Sequence, residues 1–148
     1  MPKSSGKRRP GKGVHVFPVR VYYEDTDAAG IVYYANYLRY AERARTEMLR
    51  GIGMGSARMM ETDGLAFAVR RCSMEFVKPA KLDDLLDVET RLVEVGGASV
   101  IADQRIKRDA TDLVRMKLTL ACMSLAGRPA RMPAPLRARL VHMQATVR

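Results

Sequence analysis

One stretch of this sequence, Tyr34 to Arg50, carries the periodicity of a long amphipathic helix, and almost everything after it alternates apolar and polar residues at period two. Tyr37, Ala41, Ala44 and Met48 recur on one face, flanked by Leu38 and Leu49. Arg39, Glu42, Arg43, Glu47 and Arg50 fall mostly on the other. Arg43 and Glu47 are spaced to pair one turn apart, and Gly51 supplies a stop. Before the helix, Phe17, Val19, Val21 and Tyr23 alternate with polar residues, and Pro18 points to an edge strand. After it, Ala66, Ala68, Cys72, Met74 and Phe76 share one parity; Leu86, Val88 and Leu92 form a second set, and Val100, Ala102 and Ile106 a third. Val114, Met116, Leu118, Leu120 and Cys122 make a fourth, with Gly96-Gly97 as a hairpin signal between the second and third. One strand, one long helix and four strands joined by short turns predict an α+β fold, an antiparallel sheet packed on a single helix.

The 148 residues suffice for one domain with its own core. Residues 14–135 are read as that domain. The first 13 residues, rich in Gly, Pro, Ser and Lys/Arg, are read as a mobile basic arm. Residues 136–148 are read as a basic tail with a short helix over Leu136 to Gln144. No apolar run approaches the ~20 residues that span a bilayer, and no signal peptide is visible, so a cytoplasmic protein without a membrane span is expected. Cys72 and Cys122 are read as two reduced, buried thiols, and no metal site is expected.

The net charge of +10 suggests a polyanionic partner, but its distribution argues against nucleic acid. Residues 1–23 carry six Lys/Arg and residues 113–148 carry seven, with no acid in either stretch. The central stretch holds 13 Lys/Arg against all 16 acids and is slightly acidic. No helix-turn-helix, ribonucleoprotein or zinc signature accompanies the basic ends.

Chemistry concentrates in Glu24-Asp25-Thr26-Asp27-Ala28-Ala29-Gly30, between the first strand and the helix. A helix N-terminus offers unpaired N–H groups that stabilise charge developing on a carbonyl oxygen. A carboxylate opposite it can attack an acyl carbon or take a proton from water. The competing reading is that Asp25 and Asp27 merely form Asx turns. A calcium loop is excluded because Ile31, Val32 and Tyr33 follow where oxygen ligands are needed. Gly51, Gly53 and Gly55 follow a helix, the wrong context for a dinucleotide fingerprint. His15 and His142 lack the partners of a serine or cysteine triad. Met48, Met54, Met59 and Met60 are core filler or the lining of an adaptable acyl groove.

The run Val19 to Tyr33, with Asp25-Thr26-Asp27-Ala28-Ala29-Gly30-Ile31-Val32 at its centre, resembles the Tol-Pal-associated acyl-CoA thioesterases. These are a branch of the 4-hydroxybenzoyl-CoA thioesterase-like hot-dog proteins. The likeness continues through Tyr40 to Arg50, Phe67 to Arg70, Glu75-Phe76 and Pro79 to Leu85. It implies a hot-dog fold, a five-stranded antiparallel sheet wrapped around one central helix, in a homodimer or homotetramer with active sites between subunits. It implies an acyl-CoA substrate, coenzyme A entering only as part of that substrate, and no separate cofactor. Asp27 would be the catalytic carboxylate and the Tyr34 N–H the oxyanion donor. Gly30, Tyr33, Asn36 and Tyr37 would shape the site, and Ser99 and Arg105 would meet CoA. Many members of the branch carry His where this chain has Tyr34, and relatives carry Arg/Lys where Gly96-Gly97-Ala98 precede Ser99. The alternative is a non-catalytic module that binds acyl-CoA or an acyl carrier protein and recruits partners, for instance at the cell envelope.

Overall fold

The computed structural model describes residues 13–145; the rest of the expected basic arm and the last residues of the tail lie outside them. Strand β1 (Val14–Arg20) leads through a 3-10 turn (Tyr23–Asp25) to helix α1 (Asn36–Gly51). A single turn, α2 (Ser56–Arg58), widens into a π-helical turn over Met59–Asp63. Then come β2 (Leu65–Phe76), β3 (Leu85–Val95), β4 (Ser99–Arg108), β5 (Thr111–Ser124) and helix α3 (Ala134–Ala145). The five strands form one antiparallel sheet in the order β1-β3-β4-β5-β2.

Helix α1 lies on β1, β3 and β4. Ala41 and Ala44 are fully buried, and their small side chains let the helix approach the sheet closely. Tyr37, Tyr40, Met48 and Leu49 extend the buried face, whereas Leu38 remains 44% exposed. On its outer face Glu47 pairs with Arg50 and not with Arg43. From the sheet, Leu86, Val88, Ile106, Val114 and Leu118 complete the core. Each such side chain contributes about 1.5–3 kcal/mol on leaving water.

Two polar residues interrupt this core. Gln104 donates through Nε2 to the Ala41 carbonyl (3.0 Å) and to Thr90 Oγ1 (2.9 Å), and accepts from Arg45 Nη1 (2.8 Å). Helix and sheet are thus joined by hydrogen bonds as well as by apolar contact, which satisfies a side chain that would otherwise be costly to bury.

Strand β2 departs from simple alternation. Its register with β5 shifts between Val69 and Arg71, leaving Arg70 as an extra residue. Before the bulge, Phe67 and Val69 pair with Cys122 and Leu120, which face the core; after it, Cys72, Met74 and Phe76 pair with Leu118, Met116 and Val114. Ala66 and Ala68 therefore do not share a face with Cys72, Met74 and Phe76. Cys122 is buried, but Cys72 is exposed.

The C-terminal segment belongs to the packed body. Helix α3 packs on β3 through buried Leu136 and Leu140, and the Arg137 guanidinium donates to the Gly96 and Val95 carbonyls (3.0 and 3.3 Å). Among the described residues, no helix is long and apolar enough to cross a membrane.

Candidate active site

The segment between β1 and α1 is a compact double turn. Asp25 Oδ2 accepts the Tyr22 N–H (2.9 Å), closing the 3-10 turn. Thr26 then pairs with Val32 to make a small hairpin. Within it the Asp27 N–H donates to the Ile31 carbonyl (2.9 Å), and the Gly30 N–H donates to the Asp27 carbonyl (3.0 Å). Gly30 sits at φ +77°, a left-handed conformation that a Cβ would strain. Asp27 Oδ1 accepts the Ala29 N–H at 2.9 Å, so the Asx turn does form. It occupies one carboxylate oxygen; Oδ2 meets no partner among the described residues, and Asp27 is exposed. The hairpin is pinned from behind, where Ile31 pairs with Lys81 and the Val32 N–H donates to the Ala80 carbonyl (2.9 Å).

The start of α1 is tied to the same turn. The Asp25 carbonyl accepts both the Tyr33 N–H and Asn36 Nδ2, each at 2.9 Å. The regular helix begins at Asn36, two residues later than its periodicity predicts. The N–H groups of Asn36, Tyr37 and Leu38 turn back to the carbonyls of Tyr33, Tyr34 and Ala35. Ala35, at the cap position, has no side chain able to accept a hydrogen bond. The N–H groups of Tyr34 and Ala35, which precede this first turn, donate to no acceptor among the described residues.

Two tyrosines beneath this surface hold it in place. The Ala80 N–H donates to the buried Tyr37 hydroxyl at 3.1 Å. Burial raises the Tyr37 phenol above its ordinary value, and the carboxylates of Asp84 and Asp27 act in the same direction. Tyr37 thus shapes the site from below and has no exposed face. Tyr40 is also buried; desolvation pushes its phenol far up, and the nearby Asp25 carboxylate adds to the effect, although no acceptor meets hydrogen-bond geometry. On the surface, Tyr33 and Tyr34 pack ring on ring at 4.8 Å, and Tyr34 meets Phe76 of β2 edge-on at 6.2 Å.

Asp27, Gly30, Tyr33, Tyr34, Asn36 and Tyr37 are therefore gathered at one end of the sheet. Ser99 and Arg105 are not among them. Ser99 begins β4 at the opposite end, about 30 Å along a ten-residue strand from Arg108. Arg105 lies on the outer sheet face and pairs with Asp112 at 2.9 Å. Burial opposes the charge of Asp112, but Arg115, Arg105 and Lys107 outweigh it and hold the carboxyl below its usual range. Sequence reasoning missed the Ala35 N–H, for which the residue pattern carries no signal, and the supporting segment Ala80–Lys81.

An exposed carboxylate with one free oxygen, in a turn tied to a helix start with two open N–H groups, is an arrangement that can serve acyl chemistry. A family model for the thioesterase-like superfamily matches residues 21–140. The chain belongs to this superfamily. It is 43% identical over 129 residues to the acyl-CoA thioesterase YbgC of Haemophilus influenzae, covering 86% of this chain and 95% of that protein. Among solved structures, a probable thioesterase from Bartonella henselae superposes with a TM-score of 0.79 at 37% identity, covering 81% of this chain and 99% of that one. A thioesterase from Thermus thermophilus, solved with coenzyme A and zinc, superposes with a TM-score of 0.78 at 26% identity, covering 93% and 98%. These superfamily structures are hot-dog thioesterases, and the five-stranded antiparallel sheet with its packed helix is the α+β fold expected from the sequence.

Proposed function

We propose that this protein is an acyl-CoA thioesterase that hydrolyses its substrate to free acid and CoA, with Asp27 as the reacting carboxylate and the helix start as the oxyanion site. The observation that carries this reading is the pair of unfilled N–H groups at Tyr34 and Ala35, on a helix start tied through the Asp25 carbonyl to the turn that holds the half-engaged Asp27. Asp25 is the less suitable candidate because its carboxylate closes the 3-10 turn and lies against the buried Tyr40.

In the reaction, the thioester carbonyl oxygen takes the two N–H donors. The free oxygen of Asp27 then accepts a proton from the attacking water or itself bonds to the acyl carbon, giving an anhydride that water opens. Either route cleaves the carbon–sulfur bond and adds one water across it. A thiolate of pKa near ~8.5 leaves without needing a strong acid. Asn36 acts as a positioning residue by tying α1 to the Asp25 carbonyl.

The protein acts in the cytoplasm as a homodimer or homotetramer. Support for association comes from β2, a sheet edge whose Val69 and Phe76 are about half exposed. Ser99 and Arg105 meet CoA only from a neighbouring copy, since one chain holds them away from Asp27. Cell-envelope (Tol-Pal) and acyl-carrier-protein partners follow from the sequence resemblance.

Asp27→Asn keeps the shape and removes the charge. It lowers kcat by about 10²-fold or more, with the urea midpoint unchanged, in an assay of free thiol release over a panel of acyl-CoAs. Wild-type turnover in the Asn variant overturns the mechanism. Binding of acyl-CoA without turnover by the wild-type chain favours the non-catalytic module instead.

A further inference from the structure

The connection between β2 and β3, residues 77–84, runs behind the Asp27 hairpin. Besides the Ile31–Lys81 bridge and the Val32 hydrogen bond to Ala80, the Leu82 N–H donates to the Gly30 carbonyl at 3.3 Å. The same connection grips the end of β1. The Val21 N–H donates to the Asp84 carbonyl (2.9 Å), the Asp83 N–H to the Val21 carbonyl (3.0 Å) and Arg20 Nη1 to the Asp83 carbonyl (2.7 Å). Asp27, Ala28, Ala29 and Gly30 are themselves exposed. With so little packing of its own, the hairpin takes its position from these backbone hydrogen bonds and from its tie to α1.

Tyr37 fastens the Ala80 end of this connection, and a hydrogen-bonded ion pair fixes the turn that follows. Asp84 Oδ2 accepts the Lys81 N–H at 2.8 Å and Arg108 Nη1 at 2.6 Å. The Asp84 N–H returns to the Lys81 carbonyl at 3.1 Å, so one side chain closes the turn and ties it to the last residue of β4. The Asp84 and Arg108 side chains are 20% and 34% exposed, which separates them from a solvated surface pair of small net worth. Among the described residues, the other ion pairs run along α1, within β5 or between neighbouring strands. Asp84–Arg108 is the one that joins the sheet to a segment touching the hairpin. The Tyr37 phenol, raised mainly by burial, also feels both members of the pair in opposite directions, and Asp27 acts on it in the same sense as Asp84. Arg108 thus neutralises the carboxylate that takes no part in the proposed chemistry.

We infer that Arg108 is a positioning residue: through Asp84 it holds the turn over residues 81–84, and through that turn it keeps the Asp27 carboxylate in place against the open N–H groups of Tyr34 and Ala35. The inference rests on the thioesterase reading and adds to it a residue that touches neither the substrate nor the reacting atoms. Without the guanidinium, Asp84 carries an uncompensated, largely buried charge, which is relieved when the side chain swings toward water. That movement releases Lys81, whose backbone is bridged to Ile31. A displacement of an ångström at a reacting group is worth up to ~10²-fold in rate.

Arg108→Met removes the charge and keeps the length of the side chain. On the acyl-CoA that the wild type hydrolyses best, kcat falls about tenfold or more while KM stays within about twofold. Arg108→Lys, which keeps the charge, recovers most of the lost kcat. Asp84→Asn combined with Arg108→Met is no slower than Arg108→Met alone, because both changes break one coupled unit. In amide NMR spectra the resonances of Ala28, Ala29 and Gly30 move in Arg108→Met and return in Arg108→Lys. Arg108→Gln replaces the Met variant if circular dichroism shows the latter to be unfolded. A raised KM at unchanged kcat overturns the inference, because Arg108 then binds substrate directly. Unchanged kcat and KM, or unmoved amides over residues 28–30, overturn it as well, because the ion pair then supports the sheet alone. Losses that multiply in the double variant deny that Arg108 acts through Asp84. A wild-type chain that hydrolyses no acyl-CoA overturns the thioesterase reading instead, and the amide shifts still decide whether Arg108 holds the hairpin.

Discussion

The hydroxyl of Tyr37 accepts the N–H of Ala80 at 3.1 Å, which fastens the first turn of α1 to a segment 43 residues further along the chain. Ala80 is fully buried and its carbonyl accepts the Val32 N–H, so one phenol supports the whole back of the Asp27 hairpin. Tyr37→Phe leaves a buried N–H without a partner. The variant loses about 1–3 kcal/mol of stability in urea titration. Its kcat falls as well, because the hairpin and the helix start are no longer held in one geometry. Unchanged stability would show that water replaces the hydroxyl at no cost.

Gly30 separates backbone strain from packing. A Cβ there meets no atom within 4 Å, yet φ is +77°. Gly30→Ala therefore costs only the left-handed strain, about 1–2 kcal/mol. Relaxation of that strain moves Asp27, and a displacement of an ångström is worth up to ~10²-fold in rate. Activity should fall well beyond what the stability loss explains. Gly30→Asn, which tolerates the same φ, should recover part of it; equal kcat in the Ala and Asn variants would remove Gly30 from the positioning of Asp27.

The order of elements was legible in the sequence because α1 and the four later strands have clean periods. The Asp25–Val32 segment was legible because so many small and acidic residues seldom precede a helix. What escaped has identifiable physical causes. Arg70 is a bulge, and a count of alternating residues carries no sign of one, so the faces of Ala66 and Phe67 were exchanged. Helix α1 starts at Asn36 because Tyr33 and Tyr34 close a 3-10 turn first, and apolar spacing does not report that. Pro129, Pro133 and Pro135 break the sheet pattern and Arg137 and Arg139 interrupt the apolar residues that follow, so residues 136–148 read as a basic tail with a short helix. Only the fold shows that Leu136 and Leu140 cover the end of the core. Gln104 did leave a signal, as the one polar residue at an inward position of β4.

That residue makes the next prediction. Gln104→Met preserves volume but removes three hydrogen bonds, leaving Thr90 and the largely desolvated Arg45 without their partner. The cost is about 2–4 kcal/mol by thermal or urea denaturation. Adding Thr90→Val to it costs less than the sum of the two single changes, since the valine no longer strands an amide. Strict additivity would mean that the two side chains do not share their energy.

His15 sets an acid limit. It is half-buried in β1, and its Nδ1 is a buried atom with no hydrogen-bond partner among the described residues. Desolvation lowers its pKa below the ordinary 6.5, against a smaller opposing effect of Glu47. A depressed folded pKa means that the unfolded chain takes up this proton first. His15 therefore costs nothing above about pH 6.5, where it is neutral in both states. Stability is lost as pH falls below that value and through the folded pKa. The loss has a limiting slope of about 1.4 kcal/mol per pH unit. His15→Gln abolishes this contribution while leaving that of the carboxylates, so comparing urea midpoints of the two proteins at pH 7.5 and 5.5 isolates it. The wild type should lose more stability over that interval; parallel losses would show that the imidazole is solvated in both states.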